Sequence, residues 1–73
     1  MKVQITRMTS KDGFPEPTEV LGTFEMDAPP REDERITVVT EDGGQRMFLV
    51  DRIVHQFHTV RGFDATLVEV WEA

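Results

Sequence analysis

The two histidines are the residues of this chain most capable of site chemistry. His55 and His58 lie three positions apart, and Asp51 lies four positions before His55. On a helix all three side chains would share one face, because residues at i, i+4 and i+7 align there. Two imidazoles and a carboxylate, with water as a fourth ligand, are typical of catalytic zinc sites. A helix here would therefore predict a divalent-metal-binding protein or metalloenzyme.

The segment that holds the histidines, residues 45–59, can be interpreted as helix or strand. A helical apolar stripe is present, formed by Leu49, Val50, Ile53, Val54 and Phe57. The segment is nevertheless rich in Val, Ile, Phe and Thr and contains no Ala, Glu or Lys, a composition that favours a pleated sheet. It follows the turn-forming sequence Glu41–Gly44, and no N-cap residue stands ahead of it. We predict a strand and keep the metal site Asp51/His55/His58 as the alternative.

On a strand, the inward-facing residues would be Phe48 and Val50, then Ile53, His55 and Phe57. The alternation slips by one residue at Asp51–Arg52, which predicts a β-bulge that bends a long strand around a small barrel. His55 and His58 would then face opposite sides and could not bind one metal ion. We expect a half-buried His55 bonded to a backbone carbonyl, and a solvent-facing His58.

Alternating apolar residues predict four further strands, at Lys2–Met8, Glu19–Met26, Arg35–Thr40 and Ala65–Glu72. Asp12–Gly13 is typical of a tight turn, and Pro15 and Pro17 predict an irregular loop before the second strand. In that strand, Val20, Gly22, Phe24 and Met26 would share one face, with a bulge or close approach at Gly22.

The segment from residues 28 to 58 has a recognisable order: prolines, the strand D-E-R-I-T-V, a glycine turn, then F-L-V-D-R-I-V-H. This pattern resembles that of small SH3-like β-barrels, although Asp33 and Glu34 stand where such barrels usually have a glycine. The resemblance implies an all-β fold, a small, five-stranded, partly open SH3-like barrel. Such folds mostly bind peptides, nucleic acids or other domains, and the fold alone does not choose among them.

The composition sets limits on the class of protein. A chain of 73 residues is expected to form a single domain, 1–73, with a thin core. Without cysteine it can hold neither a disulfide nor a thiolate metal site. The N-terminus lacks an apolar signal region and no apolar run is long enough to span a membrane. We expect a soluble, cytoplasmic protein.

The charge argues against nucleic acid as a partner. Fourteen acidic and eight basic residues give a net charge of −6, which repels phosphate backbones. We expect the acidic residues to be spread along the chain, with one local run at residues 32–34. The basic residues Arg46, Arg52 and Arg61 are scattered. Nucleic-acid binding is therefore the third and least favoured function.

No catalytic residue or cofactor is predicted. The only serine, Ser10, lies in a turn-rich stretch, and Gly43–Gly44 lacks the lysine of a phosphate-binding loop. One apolar feature exceeds what the core needs: Met47, Leu49, Leu67 and Trp71 would form a patch if the last two strands pair. The sequence therefore predicts a non-catalytic interaction module that binds a protein partner or forms a homodimer through these four residues.

Overall fold

Five strands form one curled sheet in the computed structural model, which describes residues 1–73. They are β1 (Lys2–Lys11), β2 (Phe14–Glu25), β3 (Arg35–Val39), β4 (Gln45–His58) and β5 (Gly62–Glu72). The sheet curls through 209° as a half-barrel, so the prediction of an all-β, five-stranded, partly open barrel is confirmed. No segment forms a helix long and apolar enough to cross a membrane.

The strand order across the sheet is β2-β1-β5-β4-β3. Three neighbouring pairs are antiparallel, whereas β1 and β5 run parallel at the centre, with Val3 opposite Thr66 and Ile5 opposite Val68. The last strand of the chain is therefore the middle strand of the sheet. β2 and β3 each have one neighbour only, and they leave two free edges.

The core lies on the inner face of the curl and is thin. Only nine of 73 residues are buried. Its central cluster consists of Val3, Ile5, Phe48, Val50, Val68 and Val70. These residues alternate with outward-facing ones along β1, β4 and β5, as the period of a strand requires. Ile36 and Val38 of β3 also pack against the cluster.

β4 is a strand over the whole contested segment, and the bulge lies where the alternation predicted it. Val50 pairs with Val70, but the next pair is Arg52 with Glu69, so Asp51 is the extra residue. The bulge returns Ile53 to the inner face opposite Val68. The prediction that Phe57 faces inward into the core is wrong, because its side chain is 68% exposed near the end of the hairpin.

β2 differs from the sequence prediction in two ways. Pro15 and Pro17 do not form a loop: they continue the strand opposite Ser10 and Met8. An edge strand accommodates proline, since a nitrogen that faces away from the neighbouring strand needs no partner. The alternation is also broken between Val20 and Gly22, which pair with Thr6 and Ile5. Leu21 consequently packs on the core while Val20 is exposed.

Two aspartates adopt the left-handed backbone conformation. Asp12 (φ 53°) and Gly13 (φ 83°) form the predicted two-residue turn between β1 and β2, since primed turns need positive φ at both positions. Asp33 (φ 68°) takes the same conformation ahead of β3. Asp tolerates this region better than most residues, because its short polar side chain can form local hydrogen bonds.

Candidate functional surfaces

The four residues predicted as an interface lie on the outer face of β4 and β5. Leu49 pairs directly with Trp71, and Met47 lies two residues before Leu49 on the same side. Met47 is 53% exposed and Leu49 39% exposed. We call Met47, Leu49, Leu67 and Trp71 the outer patch. Its apolar side chains are turned away from the core.

An ion pair divides the outer patch. Arg52 and Glu69 face each other between the Leu49–Trp71 pair and the Val54–Leu67 pair. The Arg52 guanidinium donates two hydrogen bonds to the Glu69 carboxylate, at 3.0 and 3.1 Å, which raises the pKa of Arg52. Leu67 is therefore separated from Trp71 by a neutral ion pair, and the structure unites only the other three predicted residues directly.

The bulge in β4 positions the tryptophan. The Trp71 Nε1 atom donates a hydrogen bond to Oδ2 of Asp51 over 3.2 Å, and Asp51 is the residue inserted at the bulge. Bulges often re-aim a side chain next to a functional surface. The sequence pattern located the bulge but contained no sign of this hydrogen bond.

The residues of the alternative metal site are not brought together. Asp51 accepts a hydrogen bond from Trp71, and the His55 Nδ1 atom lies 2.9 Å from the Thr66 hydroxyl. The His58 Nδ1 atom accepts hydrogen bonds from the backbone N–H groups of Val60 and Arg61. No group of three His, Asp or Glu side chains lies close enough to hold a metal ion. His58 is exposed as expected. His55 is also exposed and is bonded to a hydroxyl instead of a backbone carbonyl.

A groove opens between the two free edges of the half-barrel. It has a volume of about 510 Å³ and is mostly apolar. Ile5 lies in its lining, with Phe24 and Met26 on the β2 side and Val38 and Val39 on the β3 side. No sequence pattern predicted this groove, because it lies between β2 and β3, which form opposite edges of the sheet and do not pair with each other.

The negative charge of the protein is concentrated beside that groove. Residues 14–34, which form β2 and its connection to β3, contain seven acidic residues and one arginine. The remaining residues contain seven acidic and seven basic residues and are neutral overall. The expectation of evenly spread acidity is therefore wrong: the whole net charge of −6 lies on this one segment.

Four charged residues close one end of the inner face. Arg46 of β4 reaches Glu19 of β2 (3.2 Å) and Glu72 of β5 (2.9 Å), and Arg7 of β1 reaches Glu72 (2.8 Å). β2 and β4 are not neighbours in the sheet, so the Glu19–Arg46 contact crosses the inside of the curl. These hydrogen bonds lower the pKa of Glu72 and raise that of Arg46.

Ion pairs also account for two of the three basic residues considered for nucleic-acid binding. Arg46 is bonded to Glu19 and Glu72, and Arg52 is bonded to Glu69.

No family model, curated protein or solved structure matches the chain. Geometry and charge are therefore the basis for assigning its function.

Proposed function

We propose that the protein is a non-catalytic interaction module that associates with a second copy of itself through the outer patch. The observation that supports this most directly is the Trp71 side chain, which lies opposite Leu49 in the sheet and is hydrogen-bonded to the bulge residue Asp51. Aromatic side chains with a fixed orientation dominate the binding energy of protein interfaces. Exposed Met47 and Leu49 extend the apolar surface beside it.

The exposed area of the chain supports an interface of ordinary size. A folded monomer of 8.4 kDa is expected to expose roughly 4,600 Å², whereas this chain exposes 5351 Å². The open sheet therefore leaves about 700 Å² more surface exposed than an average monomer, which is enough surface for a standard interface of roughly 800 Å² per partner. Self-association would also supplement a thin core.

The charge distribution favours the outer patch as the place where two copies meet. Copies that met at the acidic segment 14–34 would repel each other. The charges around the outer patch cancel: Arg52 pairs with Glu69, and Arg35, opposite Leu49, balances the Asp51 carboxylate bonded to Trp71. A two-fold dimer uses the same surface on both subunits, so a neutral apolar surface with one internal ion pair is suited to it.

The relation to SH3-like barrels is part of the same proposal. The five strands and their curl support it, and barrels of that kind commonly act as binding modules.

Sedimentation velocity over a range of micromolar to submillimolar concentrations tests the dimer. We expect the wild-type protein to approach twice the 8.4 kDa mass of one chain. Trp71→Ala should raise the dissociation constant at least tenfold, about 1.4 kcal/mol or more. Leu49→Lys provides a second variant at a more exposed position, in case the tryptophan is needed for folding.

The matched control is Val60→Lys, which places the same charge on an exposed valine in the β4–β5 turn, away from the outer patch, and should leave the dimer intact. Circular dichroism establishes that each variant is folded. A wild-type protein that stays monomeric throughout the range, or an unchanged dimer in both patch variants, would disprove the proposal.

A further inference from the structure

We propose that the groove between β2 and β3 binds a cationic peptide segment in extended conformation, which pairs with the free edge of β2. This inference concerns a different surface from the outer patch and does not depend on self-association. Three features support it: the free edge, the apolar lining and the acidic rim.

Only one part of the free edge of β2 can form backbone hydrogen bonds with an added strand. β2 pairs with β1 along one side and has no neighbour on the other. Pro15 and Pro17 have no N–H, so the first part of this edge is a poor template for another strand. Thr18–Glu25 contains no proline. An extended peptide of about eight residues, near 26 Å long, would match this stretch by strand addition.

The lining of the groove selects one face of such a peptide. Phe24, Met26 and Val38 present apolar surface to the groove, and Val39 is 64% exposed at its rim. Side chains in a strand alternate between two faces. A peptide with an apolar residue at every second position could therefore place those side chains in the groove and direct the others to solvent.

The charge of the rim selects the outward residues. Asp27 is exposed and directly follows Met26 of the lining, and Glu25, which precedes Met26, is exposed although it lies 3.6 Å from the N-terminal ammonium. Glu32 and Asp33 lie beyond Pro30, which also lines the groove. Lysine or arginine at the outward positions of the peptide would be attracted to this rim, whereas a second copy of the acidic segment would be repelled.

Isothermal titration calorimetry with three synthetic peptides tests the inference. The probe is an octapeptide of alternating valine and lysine; one control replaces valine by serine and the other replaces lysine by glutamate. We expect the valine–lysine peptide alone to bind measurably below millimolar concentration. Equal binding of the serine–lysine peptide would show that charge alone attracts the ligand, and equal binding of the valine–glutamate peptide would exclude a cationic partner; either result overturns the proposal.

Two matched variants locate the binding site. Val39→Lys should weaken binding of the valine–lysine peptide at least tenfold, because it removes an apolar contact and repels the ligand. Val60→Lys makes the same change at a valine that is 86% exposed in the β4–β5 turn and should leave binding unchanged. No binding to the wild-type protein, or equal loss in both variants, would overturn the inference. Leu49→Lys should not affect the peptide, so a failed dimer and a failed groove give different results.

Discussion

Gly22 is a residue whose lack of a side chain shapes the groove. A Cβ atom built on it would lie 2.7 Å from Cζ of Phe24, so the phenyl ring rests directly over the glycine backbone. The φ of Gly22 lies outside the left-handed region, and the space for the ring is therefore what requires glycine. The sequence indicated a close approach at Gly22 but could not identify Phe24 as the group that approaches.

A double-mutant cycle measures this contact. In a Phe24→Ala background, Gly22→Ala should stabilise the protein by about 0.5–1 kcal/mol, because alanine is the better strand residue. In the wild-type background the new methyl group displaces the ring, and the gain should be cancelled or reversed. Urea unfolding of the four proteins gives the coupling energy, for which we expect about 0.5–1.5 kcal/mol. Additive effects would show that the ring does not rest on Gly22.

At the scale of the element, β4 shows what a sequence pattern can and cannot reveal. The slip of alternation at Asp51 is visible in the sequence because Phe48, Val50 and Ile53 must all reach the core. The bulge expected at Gly22 lies one residue earlier, at Leu21, but the exposure of Val20 was not predicted, since an edge strand buries few residues and its alternation is weakly constrained. Pro15 was assigned to a loop for a related reason: whether proline interrupts a strand depends on the neighbour, which the sequence does not specify.

The bulge predicts that deletion of Asp51 and substitution of Asp51 have different effects on stability. Removing Asp51 from the chain would shift Ile53 and the residues after it to the opposite face, at a cost of about 3 kcal/mol or more from lost burial. Asp51→Ala keeps the extra residue and removes only the hydrogen bond to Trp71, which we expect to cost about 1 kcal/mol.

Urea unfolding followed by circular dichroism compares the two variants, and the fluorescence of Trp71 reports the local change. Similar stabilities for the deletion and the substitution would contradict the assignment of Asp51 as the bulge residue. The substitution should in addition alter the emission of Trp71 while the sheet remains intact.

At the scale of the whole molecule, the charged network at one end of the inner face links four of the five strands. Hydrogen bonds from Arg46 and Arg7 hold the pKa of Glu72 below its ordinary value of 4.5. The unfolded chain therefore binds this proton more readily than the folded one. The contribution of Glu72 to stability is fully present above about pH 4.5 and is lost as the pH falls through the lowered value.

Thermal unfolding between pH 7 and pH 2.5 tests this linkage. We expect the melting temperature of Glu72→Gln to fall less steeply with acidification than that of the wild-type protein. The effect should be modest, since the Glu72 side chain is 56% exposed and solvent screens it. In an Arg46→Met background the same substitution should change the slope less, and equal slopes in wild type and Glu72→Gln would show that the network does not couple folding to pH.

The fold class, the long β4 strand and the outward direction of Met47, Leu49, Leu67 and Trp71 could be inferred from the sequence because each depends on local alternation. The groove, the network around Arg46 and the parallel pairing of β1 with β5 could not, since each depends on which distant strands become neighbours. Strand order is not encoded in alternation. For the same reason the sequence does not show that the acidic segment 14–34 lies beside an apolar groove.

The central position of β5 has a consequence for biosynthesis. The ribosome makes β1 and β2, which form one hairpin, and then β3 and β4, which form another, before the strand that joins the hairpins exists. Contacts between residues as distant as Val3 and Thr66 also slow folding. Until β5 is in place, the two hairpins have no strand between them and the apolar residues of their inner faces stay uncovered.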